Sequence, residues 1–139
     1  MVEEGKLGMK VGEGIYLYEP SPGGPRKKEG GIESSLDKSI LKQHSDRLLV
    51  VWINEGIRCL DEGVAEAEDI DRALQLGAGM PKGPLSWADE VGLDWVLIEL
   101  DKGKEQFGER YWPSALLRRK VNAGHLGKKI GKGFFHYKP

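Results

Sequence analysis

The residues close to the carboxyl end could bind a phosphate group, because glycine and lysine alternate there. Residues 127–133 read GKKIGKG, and glycine-rich loops beside a lysine hold nucleotide phosphates in many proteins. A P-loop needs four residues between its glycines, whereas three separate Gly127 from Gly131, and no hydroxyl residue follows the lysine. A dinucleotide-binding loop needs a strand before it and a helix after it. We therefore expect a structural turn. It would fold the aromatic residues Phe134, Phe135 and Tyr137 back onto the helices.

The histidines, the cysteine and the acidic residues form no recognisable metal or catalytic set. A zinc site needs three or four converging donors, and no such spacing relates His44, His125, His136 and Cys59. The basic residues 118–120 and 128–132 are typical of a solvated face, although they could meet an anionic ligand. Most acidic residues of the central region lie where helices are expected to start, so capping and the helix dipole explain them; these are Glu66, Glu68, Asp69, Asp71, Asp89, Glu90 and Asp94.

The composition is that of an ordinary globular domain. The 139 residues are 39% hydrophobic and 31% charged, with a net charge of −1, which excludes a wholly disordered chain or one that coats nucleic acid. The single cysteine, Cys59, allows no disulfide and favours a reducing compartment. The longest apolar run, residues 48–53, is far shorter than the roughly 20 residues of a membrane span, and no signal peptide pattern opens the chain. We expect a cytoplasmic protein that binds neither nucleic acid nor a membrane.

The two ends of the chain are copies of one motif. Residues 2–20 read VEEGKLGMKVGEGIYLYEP, and residues 121–139 read VNAGHLGKKIGKGFFHYKP, with nine identities, five of them Gly or Pro. Glycine and proline fix backbone geometry rather than bulk hydrophobicity. If the second copy closes a domain, the first closes an earlier one. We therefore predict three segments: a closing segment of a preceding repeat over 1–20, a flexible linker rich in Gly, Pro and Ser over 21–39, and a helical domain over 40–139.

Apolar residues recur at helical spacing after residue 40, which predicts an all-α domain of about five helices followed by a glycine-rich irregular tail. The segment 77–84 is too rich in Gly and Pro for regular structure. Ser86, followed three residues later by Asp89, has the spacing of a helix cap. The helices are predicted over 40–63, 67–76 with Gly77 as the stop, a short stretch around 87–91, 93–107, and 113–124.

Several motifs, in order, resemble the C-terminal helical domain of 3-hydroxyacyl-CoA dehydrogenases over residues 40–139. They are NEGIRCLDEGVAEAEDIDRALQLGAGMPKGPLSWADEVGLD at 54–94 and the closing GHLGKKIGKGFFHY. The resemblance implies a helical fold like the C-terminal domain of 6-phosphogluconate dehydrogenase. It also implies NAD-dependent oxidation of 3-hydroxyacyl-CoA in fatty acid β-oxidation, with the catalytic His–Glu pair and NAD on a separate Rossmann domain. A tandem of such helical domains is similar to multifunctional fatty-acid-oxidation proteins, in which an enoyl-CoA hydratase is fused to the dehydrogenase.

The resemblance also indicates where substrate would lie. The family has an Asn before Arg-Leu-Leu in its first helix, where this chain has Asp46. An Asn amide can donate a hydrogen bond to a thioester or keto oxygen, but an ionised Asp can only accept one, so we expect no catalytic residue in this chain. The segment that borders the acyl pocket in the family corresponds to the candidate substrate-binding residues Met80, Pro81, Gly83 and Pro84. No residue is expected to bind NAD or a metal.

The expected role is structural. The domain would pack against a preceding helical repeat and the Rossmann domain, shape the acyl-CoA cleft, and form a homodimer; alone, the chain would be inactive. Residues 48–53 are apolar on all sides, so Val50, Val51 and Trp52 are expected to form an exposed patch, unless Phe134 and Phe135 cover it. Two alternatives stay open: an autonomous helical interaction module, or a stand-alone acyl-CoA binder that uses residues 81–84 and the tail lysines.

Because the sequence lacks a strand–glycine-loop–helix unit, we expect that this chain alone does not bind NAD. Titration of the chain with NADH, followed by cofactor fluorescence and by the heat released, checks this. Saturable binding tighter than about 1 mM would contradict the prediction.

Overall fold

The structure, a computed structural model, describes residues 5–13, 17–27 and 37–138. The chain divides into two compact units, Met1–Lys42 and Gln43–Pro139. The first unit contains a 3-10 turn, Met9–Val11, and two short antiparallel strands, β1 (Tyr18–Glu19) and β2 (Arg26–Lys27). Strand β2 lies within the segment predicted as a linker, of which residues 28–36 lie outside the described residues.

The second unit is helical, which confirms the all-α prediction. No described helix combines the length and hydrophobicity that a bilayer crossing requires. In the described part of the chain there are five α-helices: α1 (Lys38–Asp61), α2 (Ala67–Ala78), α3 (Pro84–Val91), α4 (Leu93–Phe107) and α5 (Ala115–Asn122).

One apolar core joins the five helices. Full burial of a Val, Leu or Ile side chain in this core stabilises the folded state by roughly 1.5–3 kcal/mol. A Cβ on Gly56 would lie 2.5 Å from Cγ of Pro84, so the missing side chain lets α1 pack closely against the start of α3. The buried apolar residues are Val50, Ile53 and Ile57 of α1, Ala67 and Ile70 of α2, Leu85 and Ala88 of α3, Leu93, Val96 and Leu100 of α4, and Leu117 of α5.

Two predicted helix ends were wrong, for different reasons. Helix α2 passes through Gly77 and ends where Gly79 adopts a left-handed conformation, because one glycine inside a helix costs only about 1 kcal/mol. The predicted irregular segment therefore begins at Gly79. The predicted cap at Ser86 is also wrong: α3 begins at Pro84. Instead the buried Asp71 of α2 accepts hydrogen bonds from the backbone N–H groups of Leu85 (2.8 Å) and Ser86 (2.8 Å).

The C-terminal half of α1 holds the start of α5 by similar side-chain hydrogen bonds to the backbone. The buried Asn54 donates from Nδ2 to the carbonyl of Trp112 (3.0 Å) and accepts at Oδ1 from the N–H of Ser114 (2.9 Å). Ser114 then caps α5, as its predicted start at 113–114 suggested, by accepting at Oγ from the N–H of Leu116 (3.1 Å). Asp61 accepts from the same N–H (3.1 Å) and pairs with Arg119 (2.7 Å).

The irregular glycine-rich tail packs on Asp89, and we call residues 124–138 the C-terminal clasp. Asp89 lies in the last turn of α3 and is buried, so its assignment to a helix start was wrong. Its carboxylate accepts hydrogen bonds from the N–H of Phe134 (2.8 Å), the N–H of Phe135 (2.9 Å) and the hydroxyl of Tyr137 (3.1 Å). A Cβ on Gly133 would overlap this carboxylate, so only glycine allows the approach.

Burial disfavours the negative charge on Asp89, whereas the groups that donate hydrogen bonds to its carboxylate favour that charge. Burial raises the pKa of Asp89, although the hydrogen bonds from Phe135, Phe134 and Tyr137 and the charge of Lys120 oppose that shift. Burial also disfavours the charged form of Lys120 and so lowers the pKa of Lys120, whereas the charge of Asp89 acts to raise it. Burial and the nearby carboxylate raise the pKa of Tyr137, so its hydroxyl keeps the proton that it donates.

Replacing Asp89 by Asn should destabilise the fold by about 2 kcal/mol. The amide has one acceptor oxygen, so its NH2 group would face a backbone N–H of the clasp and leave a buried donor unsatisfied; relief of the charge burial offsets part of the loss. The matched control, Asp94→Asn, removes a half-exposed pair with Lys129 (2.6 Å) and should cost less than about 1 kcal/mol. Urea unfolding of both variants measures the difference, and equal stability of the two would contradict the role of Asp89.

Candidate functional site

A half-open cleft of about 560 Å3 lies between α1, α3 and the turn that precedes α3. One face of helix α1 lines the cleft with the residues at positions 45, 46, 48, 49 and 52. We call this site the aromatic cleft. Its lining residues are Ser45, Asp46, Leu48, Leu49, Trp52, Met80 and Trp87.

Two tryptophans form the inner wall of the aromatic cleft. Trp52 of α1 and Trp87 of α3 meet edge to face, with ring centroids 5.8 Å apart and planes at 86°. Both also pack against the core, as does Leu49. Edge-to-face packing stabilises an aromatic pair by about 0.5–1.5 kcal/mol beyond its area burial. The wall is therefore rigid and apolar.

Among the described residues, the half-buried Asp46 is the one ionisable residue that lines the aromatic cleft, and Ser45 adds a hydroxyl group. An apolar cleft with few polar groups is typical of sites for small molecules that carry a polar centre on an apolar chain. The carboxylate can accept hydrogen bonds there and cannot donate one while ionised.

The four residues predicted to bind substrate are not brought together. Met80 lines the aromatic cleft with Asp46, whereas Pro81 is exposed at the turn. Gly83 and Pro84 are buried among helices: a Cβ on Gly83 would overlap Asp71, and Pro84 contacts Gly56. In this structure the last two positions therefore fix how α2, α3 and α1 pack.

Most of the cleft was not predicted from the sequence. Trp52 and its neighbours were expected to form an exposed patch, but Val50 is 1% exposed and belongs to the core, so that part of the prediction was wrong. The spacing 45, 48, 49, 52 on one helix face was the available signal. Trp87 could not be placed from spacing, because it comes from another helix.

The basic residues are largely committed to structural pairs. Arg118 pairs with Asp101 (2.5 Å), and Arg119 pairs with Asp61. Lys120 donates to the carbonyl of Gly133 (2.8 Å). In the described part of the chain, no group of three or more His, Cys, Asp or Glu side chains is placed to hold a metal ion.

Comparison with known proteins identifies relatives of the helical unit. The sequence model of the family described as 3-hydroxyacyl-CoA dehydrogenase, C-terminal domain, matches residues 44–137. The 3-hydroxybutyryl-CoA dehydrogenase of Mycobacterium tuberculosis is 46% identical over 91 residues, which cover 65% of this chain and 32% of the relative. The human mitochondrial hydroxyacyl-coenzyme A dehydrogenase is 43% identical over 95 residues, covering 67% of this chain and 30% of the relative.

Solved structures resemble the same region. The crystal structure of (S)-3-hydroxybutyryl-CoA dehydrogenase from Ralstonia eutropha matches with a TM-score of 0.66 and 40% identity, over 68% of this chain and 34% of that one. The chain thus spans about a third of the length of the relatives that it matches.

The packing of Gly83 predicts that Gly83→Ala lowers the free energy of unfolding by about 2 kcal/mol, because the added methyl overlaps Asp71. Its backbone, at φ −77° and ψ 163°, suits alanine, so the effect is purely steric. Gly77→Ala is the matched control: no atom lies within 4 Å of the added Cβ, and loss of a helical glycine should stabilise by roughly 0.5–1 kcal/mol. Thermal unfolding compares them; a Gly83→Ala chain of unchanged stability would show that Asp71 can move aside.

Proposed function

The chain belongs to the family of 3-hydroxyacyl-CoA dehydrogenase C-terminal domains, and from this premise we propose that its helical unit forms one wall of the acyl-binding cleft of an NAD-dependent 3-hydroxyacyl-CoA dehydrogenase of fatty acid β-oxidation. The observation that carries the proposal is the aromatic cleft, where Asp46 and Met80 lie together against two tryptophans.

The lining of the aromatic cleft suits the acyl part of the substrate. Leu48, Leu49, Trp52, Met80 and Trp87 present apolar surface, and burying the methylenes of an acyl chain there is favourable by about 0.8 kcal/mol each. Met80 adds an adaptable side chain to the lining. The same surface offers little to the polar parts of CoA, which would extend away from the cleft.

Asp46 gives the aromatic cleft a polarity that differs from the family pattern. A carboxylate accepts hydrogen bonds, so it can bind the hydroxyl of a 3-hydroxyacyl group, whereas the keto oxygen of the oxidised product offers no proton to it. Asp46 should therefore favour the hydroxyacyl form over the ketoacyl form. The family's Asn can serve both, because an amide donates as well as accepts.

The oxidation itself would rest on another domain. In the described residues the 3-10 turn Lys128–Ile130, which lies between Gly127 and Gly131, follows α5. The clasp that contains it donates hydrogen bonds to the carboxylate of Asp89, and that negative charge disfavours a pyrophosphate. The helical unit therefore does not fit NAD. Within the proposal, a Rossmann domain supplies NAD and the proton-transfer pair, and this chain holds the acyl group in place.

A cytoplasmic location agrees with the proposal. Cys59 is a free thiol, which suits a reducing compartment.

The test is calorimetric titration of the full chain with 3-hydroxybutyryl-CoA and with free CoA. We expect saturable binding of the acyl ester and much weaker binding of free CoA. Leu48→Asp should weaken binding of the ester at least about tenfold, because a charge enters the apolar wall. Leu76→Asp is the matched control: Leu48 is 76% exposed and Leu76 is 77% exposed, but Leu76 lies outside the cleft. Absence of ester binding would favour the helical interaction module instead.

The preference set by Asp46 is tested with a ligand pair. Wild type should bind 3-hydroxybutyryl-CoA more tightly than acetoacetyl-CoA by at least about tenfold, the value of one hydrogen bond to a charged group. Asp46→Asn should remove that preference by improving the binding of acetoacetyl-CoA. Asp69→Asn, an exposed change on α2, should leave both affinities unchanged. Equal affinities in wild type would contradict the role given to Asp46.

We also propose that the helical unit forms a homodimer through α1. The exposed patch predicted there is reduced to Leu48 and the half-buried Val51, because Val50 lies in the core and Trp52 packs on Trp87. Sedimentation at micromolar concentration should show a dimer that Val51→Asp dissociates, since the change buries a charge at the interface. Val64→Asp, at an exposed site after α1, is the control. A monomeric wild type would contradict the dimer, and a dimer that resists Val51→Asp would place the interface elsewhere.

A further inference from the structure

The first unit contains a second clasp, and its described residues, 5–13 and 17–18, have the same backbone pattern as the C-terminal one. We call residues 5–18 the N-terminal clasp. The bridges Gly8–Glu13 and Glu13–Leu17 correspond, 119 residues later, to Gly127–Lys132 and Lys132–His136. A 3-10 turn follows Gly8 at Met9–Val11 and Gly127 at Lys128–Ile130.

The glycine conformations of the two clasps also agree. Gly5 and Gly124 have φ of 72° and 73°, and Gly12 and Gly131 have φ of 78° and 75°. The closing hydrogen bond is the same: the N–H of Tyr18 donates to Gly12 (2.8 Å), and the N–H of Tyr137 donates to Gly131 (2.9 Å). Internal repetition in sequence is therefore matched by repetition in structure.

The C-terminal clasp shows what this conformation binds. Beyond the three hydrogen bonds to Asp89, Lys129 pairs with Asp94 at 2.7 and 2.6 Å, and the carbonyl of Leu126 accepts from the N–H of Leu93 (3.3 Å). We call this surface, formed by Asp89, Leu93, Asp94 and Lys120, the Asp89 groove. A Cβ on Gly127 would overlap the backbone of Asp89, so clasp and groove are in direct contact.

The N-terminal clasp retains the groups that make these contacts. Lys10 stands in register with Lys129, Tyr18 with Tyr137, and Gly14 with Gly133. Residues 15 and 16, in register with Phe134 and Phe135, lie outside the described residues, but any residue except proline provides the backbone N–H that the carboxylate binds. Around Gly8 the structure differs, because no atom lies within 4 Å of an added Cβ. Leu7 is 56% exposed, whereas its counterpart Leu126 is half-buried.

The described residues thus hold two clasps and one groove, and the C-terminal clasp occupies that groove. We propose that the N-terminal clasp is a docking element for a second helical domain of the same kind, one that presents an open groove with a buried aspartate in an Asp-x-x-Gly-Leu-Asp segment. Asp89-x-x-Gly92-Leu93-Asp94 is this chain's own version of that segment. The inference uses no property of the aromatic cleft, so it stands or fails independently of acyl-CoA binding.

The test uses this chain as a stand-in for the open partner. The receptor is a fluorescently labelled full chain in which Gly133→Val expels its own C-terminal clasp from Asp89 and Gly14→Val disables its own N-terminal clasp. The donor is the full chain with both clasps native. All chains carry Val51→Asp, which removes association through α1. Sedimentation of the labelled receptor at rising donor concentration measures the complex.

We expect a saturable complex that a Gly14→Val donor forms at least about tenfold more weakly. In the register of Gly133, a valine at position 14 would overlap the receptor's carboxylate. A Glu19→Val donor, changed on β1 outside the clasp, should bind like the native donor. If the Gly133→Val receptor does not fold, a receptor with Tyr137→Phe and Gly14→Val replaces it, because that chain keeps Gly133 and loses only one of the hydrogen bonds between its C-terminal clasp and Asp89. A folded receptor that binds no donor, or that binds native and Gly14→Val donors equally, would overturn the proposal.

Discussion

The structure depends on buried side chains that accept hydrogen bonds from backbone N–H groups in the first turn of a helix, just before a helix and in the irregular tail. The ends of the five helices and the loops between them place N–H groups close to the core, and an unpaired buried donor costs about 1–3 kcal/mol. Three residues meet this need. Asp71 binds two consecutive N–H groups at the start of α3, Asp89 binds two in the C-terminal clasp, and Asn54 binds one beside α5. In the described residues no buried side-chain polar atom is left without a partner.

These acceptors also determine the shape of the aromatic cleft. Asp71 fixes the start of α3, and the contact between Gly56 and Pro84 brings that start against α1. Trp87, one turn into α3, is thereby held edge to face with Trp52. The wall of the cleft is therefore set by packing among helices rather than by a mobile loop, which suits a site that positions an apolar group without reorganising.

The sequence predicted what depends on local pattern and missed what depends on distant partners. Apolar periodicity located the helices, since a buried face repeats every three or four residues. The start of α3 was misplaced because its cap is a side chain of α2, fifteen residues before Ser86. Asp89 was assigned to a helix start for the same reason: its role depends on contacts with residues more than forty positions away. At the site, the resemblance named Asp46 and Met80, while Trp87 required the packing of α3 on α1.

The two clasps show, within one chain, the difference between what local sequence determines and what contacts with distant residues determine. Over the described residues 5–13 and 17–18 the N-terminal clasp adopts the same turn as the C-terminal clasp, in which Phe134 and Phe135 donate hydrogen bonds to Asp89. The conformation is thus a local property, set by glycines that occupy left-handed backbone angles at equivalent positions. Attachment is a tertiary property that requires a buried carboxylate and room for a glycine beside it. Docking a segment whose backbone already favours this turn costs less conformational entropy than docking one that does not, by up to about 1–2 kcal/mol per residue.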